Sequence, residues 1–276
     1  MPELHQPPYT RRVPYSLDDF SAVLLDLDGT IYHEEHALPG AIELIRKLQR
    51  DGRRFACLSN STSSPQLISQ RLARMGVSVP EGAIYTAGAA TADYIVAKWE
   101  SPRVFNLGTE GLHDLLDGKV RWVTRGNEPC DVVPVATPVS VYATEDRQRI
   151  ALDLLRRNRQ TVLLGMCADR VYPSPRGMEF GSGALTAMLA YAADVTPVFT
   201  GKPEAIFFHE LCRRLKVEPG GCILVGDNLE SDIFGGKRVG MKTLLTLTGV
   251  ARREDLARLA EERQPDGVIG DLRELL

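Results

Sequence analysis

Residues 22–30 read AVLLDLDGT: four apolar side chains in a row, two aspartates separated by one leucine, then glycine and threonine. An unbroken apolar run suits a strand buried on both faces, as in a parallel sheet, and Gly29 stops it. Side chains two apart on a strand share a face, so Asp26 and Asp28 are expected to point into one site. Carboxylates at the end of a buried strand are costly unless a cation or hydrogen bonds meet them. In open α/β sheets the carboxyl ends of the strands are also where ligands bind. A solvated strand-to-turn junction with an aspartate cap is the weaker reading of these residues.

Downstream, Ile42, Ile45 and Leu48 recur at helical spacing, and Asp51-Gly52 ends the pattern. Phe55–Leu58 reads as a second strand, and Pro65 opens a helix carrying Ile68, Leu72 and Met75. Strand–helix–strand–helix favours an α/β sheet. The C-terminal part repeats the grammar: a helix over Ala205–Leu215, a strand over Cys222–Val225 and a helix over Ile233–Arg238. It continues with a strand over Lys242–Leu247 and a short one at Val268–Ile269. Between the halves lie strand-like VRWV, VVPV, VSVY and TVLLGM, with helices around 145–157 and 183–193. The expected organisation is a discontinuous core, 1–82 with 198–276, and an inserted α/β domain over 83–197.

The chain has 276 residues, 43% hydrophobic and 25% charged, the composition of an ordinary soluble protein. Thirty-six acidic against 33 basic residues leave a net charge of −3, without the broad basic field of a nucleic-acid binder. Five cysteines, an odd number with no C-x-x-C pair, speak against a disulfide framework and predict a reducing, cytoplasmic setting. The first twenty residues read as an irregular lead-in without a signal-type apolar core. The apolar stretch Phe180–Ala193 is shorter than the roughly 20 residues a bilayer needs.

Three further motifs carry chemistry. In VGDNLESDI (225–233), Asp227 ends an apolar strand and Asp232 follows about one helical turn later. Four carboxylates at one sheet edge would repel one another without a metal, and an all-oxygen set points to Mg2+ rather than zinc. Gly201-Lys202-Pro203 offers a compact cation suited to a phosphate. Ser59-Asn60-Ser61-Thr62 follows a strand and precedes a helix, where hydroxyls and free N–H groups make an anion site. Taken singly, each has a bland counterpart: a helix cap, a surface acid or a loop lysine.

Their order is the decisive feature. DLDGT, then SN, then GKP, then VGDNLESDI resembles the haloacid dehalogenase superfamily, and an insertion between the second and third motifs resembles its subclass IIA, the NagD-like and p-nitrophenyl-phosphatase-like group. The resemblance covers about residues 20–250, including LTGV at 247–250. It implies a Rossmann-like parallel-sheet core with an α/β cap, and a Mg2+-dependent phosphatase working through an aspartyl-phosphate. Asp26 would be the nucleophile and Asp28 the general acid and base. The Asp26 carboxylate, the Asp28 backbone carbonyl and Asp227 would hold Mg2+, with Asp232 orienting water or Lys202. Ser59, the Asn60 N–H and Lys202 would bind the phosphoryl group.

The implied substrates are small: sugar phosphates, nucleoside monophosphates, glycerol phosphate, pyridoxal phosphate or aryl phosphates. No nucleic acid or membrane partner is implied, and the cap suggests a homodimer. A phosphotransferase or phosphomutase, or a silent ligand-binding relative, are the alternatives on the same fold. Departures lie in the cap. Where subclass members show T-N-x-D and P-G-x-G, this chain has Met166-Cys167-Ala168-Asp169 and Phe180-Gly181-Ser182-Gly183. Asp169 is the candidate substrate contact there, with Arg170 and Glu179 behind it. His33-Glu34-Glu35-His36 lacks the H-E-x-x-H spacing and reads as a polar loop or helix start. Arg-Arg-Asn-Arg at 156–159 reads as a solvated helix end.

Overall fold

The computed structural model describes residues 15–174 and 176–276, so most of the expected N-terminal lead-in lies outside the described residues. Contacts divide the chain into two compact units. One comprises the chain up to Leu58, Ser69–Ile84 and Cys212–Leu276; the other comprises Ser59–Ile68 and Tyr85–Leu211.

The first unit is built on a sheet in the order Gly267–Ile269, Lys242–Thr246, Cys222–Gly226, Ala22–Asp26, Phe55–Ser59, Ile84–Thr86. The four pairings from Gly267–Ile269 to Phe55–Ser59 are all parallel. All five residues of Ala22–Asp26 and of Cys222–Gly226 are buried, as continuous apolar runs require. Burying each Val or Leu contributes about 1.5–3 kcal/mol, enough to hold a strand that ends in a buried carboxylate. Strand order reverses at Ala22–Asp26, because its chain-order neighbours lie on one side and the C-terminal strands on the other. Such a switch point opens a crevice at the strands' carboxyl ends.

Helix Ala41–Arg50 forms as its spacing predicts, although it buries Leu44 with Ile45 and Leu48. Ile42 lies half-buried at its flank. Pro65–Arg74 is helical and buries Ile68 and Leu72. The predicted helix over Ile233–Arg238 differs: a wide π-helical turn occupies Leu229–Phe234, and only Gly235–Arg238 is α-helical.

The second unit carries a parallel sheet in the order Val198–Phe199, Val162–Gly165, Val132–Val135, Arg103–Val104, Arg121–Trp122. Alternate residues serve opposite faces: Val133 and Leu163 pack with helices Glu145–Arg157 and Ser182–Ala193. Val132 and Leu164 pack with Ala87–Lys98 and Glu110–Leu116. Helix Ala87–Lys98 escaped the sequence reading because Ala87 through Ala92 are all buried, leaving no polar face to mark a period. VSVY is not a strand. Val139 and Val141 are exposed, and the Ser140 hydroxyl and carbonyl accept from Tyr142 N at 3.1 Å and Ala143 N at 2.8 Å to make a turn.

The apolar stretch 180–193 splits between an antiparallel hairpin, Val171–Ser174 with Gly177–Phe180, and helix Ser182–Ala193. No helix among the described residues is long and apolar enough to cross a membrane. All five cysteines are free and buried.

Candidate active site

The chain turns sharply after Asp26. The Leu27 carbonyl accepts from Thr30 N, Ile31 N and Tyr32 N, and Gly29 N donates to Tyr32 O at 2.7 Å. Gly29 sits at φ +85°, and a Cβ there would stand 2.4 Å from Asp227 Oδ2. Only glycine meets both demands.

The neighbouring strand ends in Gly226-Asp227. A Cβ on Gly226 would lie 2.5 Å from the Asp232 Cβ, so this glycine lets Asp232 close against the strand end. Asn228 organises the wide turn between the two acids. Its Oδ1 accepts from Glu230 N at 2.9 Å and Ser231 N at 3.0 Å, and its own N–H donates to Asp232 Oδ2 at 3.2 Å. Arg263 braces the turn from outside, pairing with Glu230 and lying 4.2 Å over the Phe234 ring.

A third segment completes the arrangement. Val250 N donates to Asp227 Oδ2 at 2.7 Å, and the Thr248 hydroxyl donates to Gly29 O at 2.6 Å. Gly249 is the tightest position: a Cβ there would fall 1.9 Å from Asp227 Oδ2. Sequence reasoning included LTGV in the resemblance but gave Thr248, Gly249 and Val250 no role. The signal was the bare glycine three residues past a buried strand.

Together these segments bring Asp26, Asp227 and Asp232 within 4.8 Å of one another by one carboxylate oxygen each. They are 6%, 3% and 0% exposed. Three buried carboxylates this close, all hard oxygen donors and crowded by glycines, suit a small divalent cation such as Mg2+. Asp28 stands outside the trio and its residue is exposed, so the fourfold carboxylate cluster expected from sequence is a cluster of three. Its backbone forms a bridge pairing with Tyr32. Cys57, buried on the adjacent strand, has its thiol pushed up by burial and by Asp26, which keeps it neutral.

In the other unit Asn60 and Lys202 are tied together. Asn60 Nδ2 donates to Lys202 O at 2.9 Å, and Lys202 N donates to Asn60 Oδ1 at 2.8 Å. Gly201 permits this approach, since a Cβ there would stand 2.9 Å from Asn60 Oδ1 and 2.4 Å from Met166 O. Lys202 is 4% exposed. Ser59 Oγ accepts from Ser61 N at 3.0 Å, and Ser59 directly follows Leu58, the register partner of Asp26. The sequence reading missed that the Asn60 side chain is engaged with the lysine backbone.

Asp169 and Arg170 are exposed. Their carbonyls accept from Gly183 N and Gly181 N, and a Cβ on Gly181 would lie 2.1 Å from Asp169 O. The thiol of Cys167 is pushed up to about 12 by burial and by Asp169. Glu179 pairs with Arg176 at 2.9 Å within the hairpin. His33–His36 is neither loop nor helix start: Tyr32–His33 and His36–Ala37 form a two-stranded hairpin. Residues 156–159 are exposed at the end of helix Glu145–Arg157, as expected, and Arg159 also donates to Ala193 O and Asp194 O at the end of helix Ser182–Ala193.

A family model for haloacid dehalogenase-like hydrolases matches residues 23–119, and a HAD-hydrolase-like model matches 199–275. The chain is 30% identical over 256 residues to a 5'-nucleotidase of Bacillus subtilis, covering 92% of this chain and 97% of that one. Among solved structures, a 4-nitrophenylphosphatase from Thermotoga maritima matches with a TM-score of 0.82 at 30% identity, covering 94% and 97% of the two chains. A glycerol phosphate phosphatase from Mycobacterium tuberculosis, solved in complex with magnesium, matches with a TM-score of 0.83 at 25% identity, covering 94% of this chain and 78% of that one.

Proposed function

Because the chain belongs to the haloacid dehalogenase-like hydrolases, we propose that it is a Mg2+-dependent phosphatase of small phosphomonoesters. The observation that carries this reading is the buried trio of Asp26 and Asp227 at adjacent strand ends and Asp232 in the turn that follows. The relatives named above, a 5'-nucleotidase, a 4-nitrophenylphosphatase and a glycerol phosphate phosphatase, support a small ester as substrate.

Asp26 attacks phosphorus, the bond to the leaving oxygen breaks, and the phosphoryl group passes to the carboxylate. Asp28 gives its proton to the departing alkoxide, and its exposed position suits a group that must meet both leaving group and water. It then takes a proton from water, which attacks phosphorus, breaks the bond to Asp26 and frees inorganic phosphate. Ser59, the Asn60 N–H and Lys202 bind phosphoryl oxygens, with Asn60 fixing the lysine backbone. Asp26, Asp227 and the Asp28 carbonyl would hold Mg2+, and Asp232 would orient water or Lys202. When bound, the ion supplies positive charge that offsets the repulsion between a phosphate dianion and the carboxylates. Residues 83–197, set into a core of 1–82 and 198–276, would act as a cap that selects the leaving group, with Asp169 as a contact.

Purified protein should release inorganic phosphate from p-nitrophenyl phosphate into water with no acceptor present. EDTA should stop release and Mg2+ restore it, and Mg2+ should raise the melting temperature. p-Nitrophenol released only when an acceptor is present, with the phosphoryl group on that acceptor and no inorganic phosphate, would make the protein a phosphotransferase, and metal-independent turnover would remove the cofactor from the reading. A panel of phosphate esters identifies the natural class. The proposal includes a homodimer through the cap, which carries exposed Met178, Phe180 and Tyr191. Sedimentation should give twice the chain mass, and a monomer would remove this part.

A further inference from the structure

The hairpin that follows Asp28 is too short to hold its own shape. Its strands are two residues each, pairing Tyr32 with Ala37 and His33 with His36. Its inner end is tied to the catalytic turn: Asp28 and Tyr32 form a bridge pairing, and Gly29 N donates to Tyr32 O. Wherever Tyr32 goes, the backbone of Asp28 goes with it.

Tyr32 is itself clamped by one side chain. Arg71, on helix Pro65–Arg74, lies 4.7 Å over the Tyr32 ring and reaches its hydroxyl at 3.4 Å with Nη1. Its Nη2 donates to Glu34 O at 2.9 Å and lies 3.8 Å from the Glu35 carboxylate. Glu34 is the turn residue forced into the left-handed region, at φ +53°. One guanidinium thus holds the base of the hairpin and both residues of its turn. A lysine, with a single point charge, could not serve all of these contacts.

We infer that Arg71, acting through Tyr32, is a positioning residue for Asp28, an inference that rests on the reading of Asp28 as general acid. Tyr32 is 4% exposed. Burial pushes its phenol up to about 12 against the pull of Arg71, with Asp28 and Asp26 adding to the rise. It stays neutral and adds no negative charge beside the two acids.

Acid catalysis matters most when the leaving group is poor, so the test compares p-nitrophenyl phosphate with phenyl phosphate by kcat/KM. Asp28→Asn should lose far more on phenyl phosphate than on p-nitrophenyl phosphate. Arg71→Gln should show the same bias at smaller size, about tenfold, from a misplaced rather than absent acid. Arg71→Lys should recover only part of it. Tyr32→Phe, which removes only the hydroxyl that Arg71 meets, should show a weaker bias and serves if Arg71→Gln does not fold. Equal losses on both esters, or none, in the Arg71 and Tyr32 variants while Asp28→Asn keeps its bias would overturn the inference alone. Absence of bias in Asp28→Asn would bring down the acid assignment and the inference with it.

Discussion

Asn in place of Asp26 should lower turnover of p-nitrophenyl phosphate by roughly 10^4-fold or more, the scale on which removing a covalent nucleophile is felt. The substitution keeps the shape and hydrogen-bonding reach of the side chain, so the strand end stays packed. What it removes is the anionic oxygen that, on the proposed mechanism, bonds to phosphorus, and an amide oxygen is a poor substitute. One of three buried carboxylates within 4.8 Å of one another also becomes neutral, which relieves repulsion in the metal-free protein. The melting temperature without Mg2+ should therefore hold or rise, while the increase brought by Mg2+ should shrink. Stopped activity with an intact melt is the expected pair of results. Wild-type turnover would reject Asp26 as nucleophile, and loss of activity through unfolding would leave the packing argument wrong.

Gly249→Ala should also cost most of the activity, although it changes no reactive group. Its methyl would be placed 1.9 Å from Asp227 Oδ2 and 2.6 Å from Asp227 Cβ, distances that force either the carboxylate or its loop to move. The 2.7 Å bond from Val250 N to Asp227 cannot survive that shift unchanged. Overpacking of this kind costs about 1–3 kcal/mol, and a displaced acid costs activity as well, on the order of 10^2-fold. The Mg2+-dependent rise in melting temperature should largely vanish. Gly82→Ala is the control, since a Cβ there meets nothing within 4 Å, and it should leave rate and melt unchanged. Near-normal activity in Gly249→Ala would mean that the loop relaxes freely and does not set the position of Asp227.

The strands that carry the acids were legible because burial on both faces leaves an unmistakable apolar run: AVLL before Asp26 and CILVG before Asp227. Helix Ala205–Leu215 was read to its end residues for a related reason, a regular apolar face. VSVY misled because alternation records only a pattern, and nothing in the fold buries Val139 or Val141. The Arg71 clamp was invisible for another reason, since a hairpin of two-residue strands leaves no period to detect and its anchor lies on a distant helix. At the site, the three acids that the fold brings together, Asp26, Asp227 and Asp232, were among the candidates named from sequence. The groups that hold them could not be named, because a backbone N–H such as that of Val250 has no letter of its own, and the closeness of Gly249 to Asp227 depends on a strand pairing.

Strand Ala22–Asp26 is flanked by Phe55–Ser59 on one side and by Cys222–Gly226 on the other. A ribosome delivers the first neighbour early and the second only when most of the chain has been made. Until then the central strand presents a bare apolar edge, a template for pairing with another nascent chain. A bound cation would offer no rescue in that interval, because Asp227 and Asp232 arrive with the late segment. Truncation before residue 222 should therefore yield an aggregating chain rather than a weakened enzyme, and refolding should be slowed by the closure of this one long-range pairing.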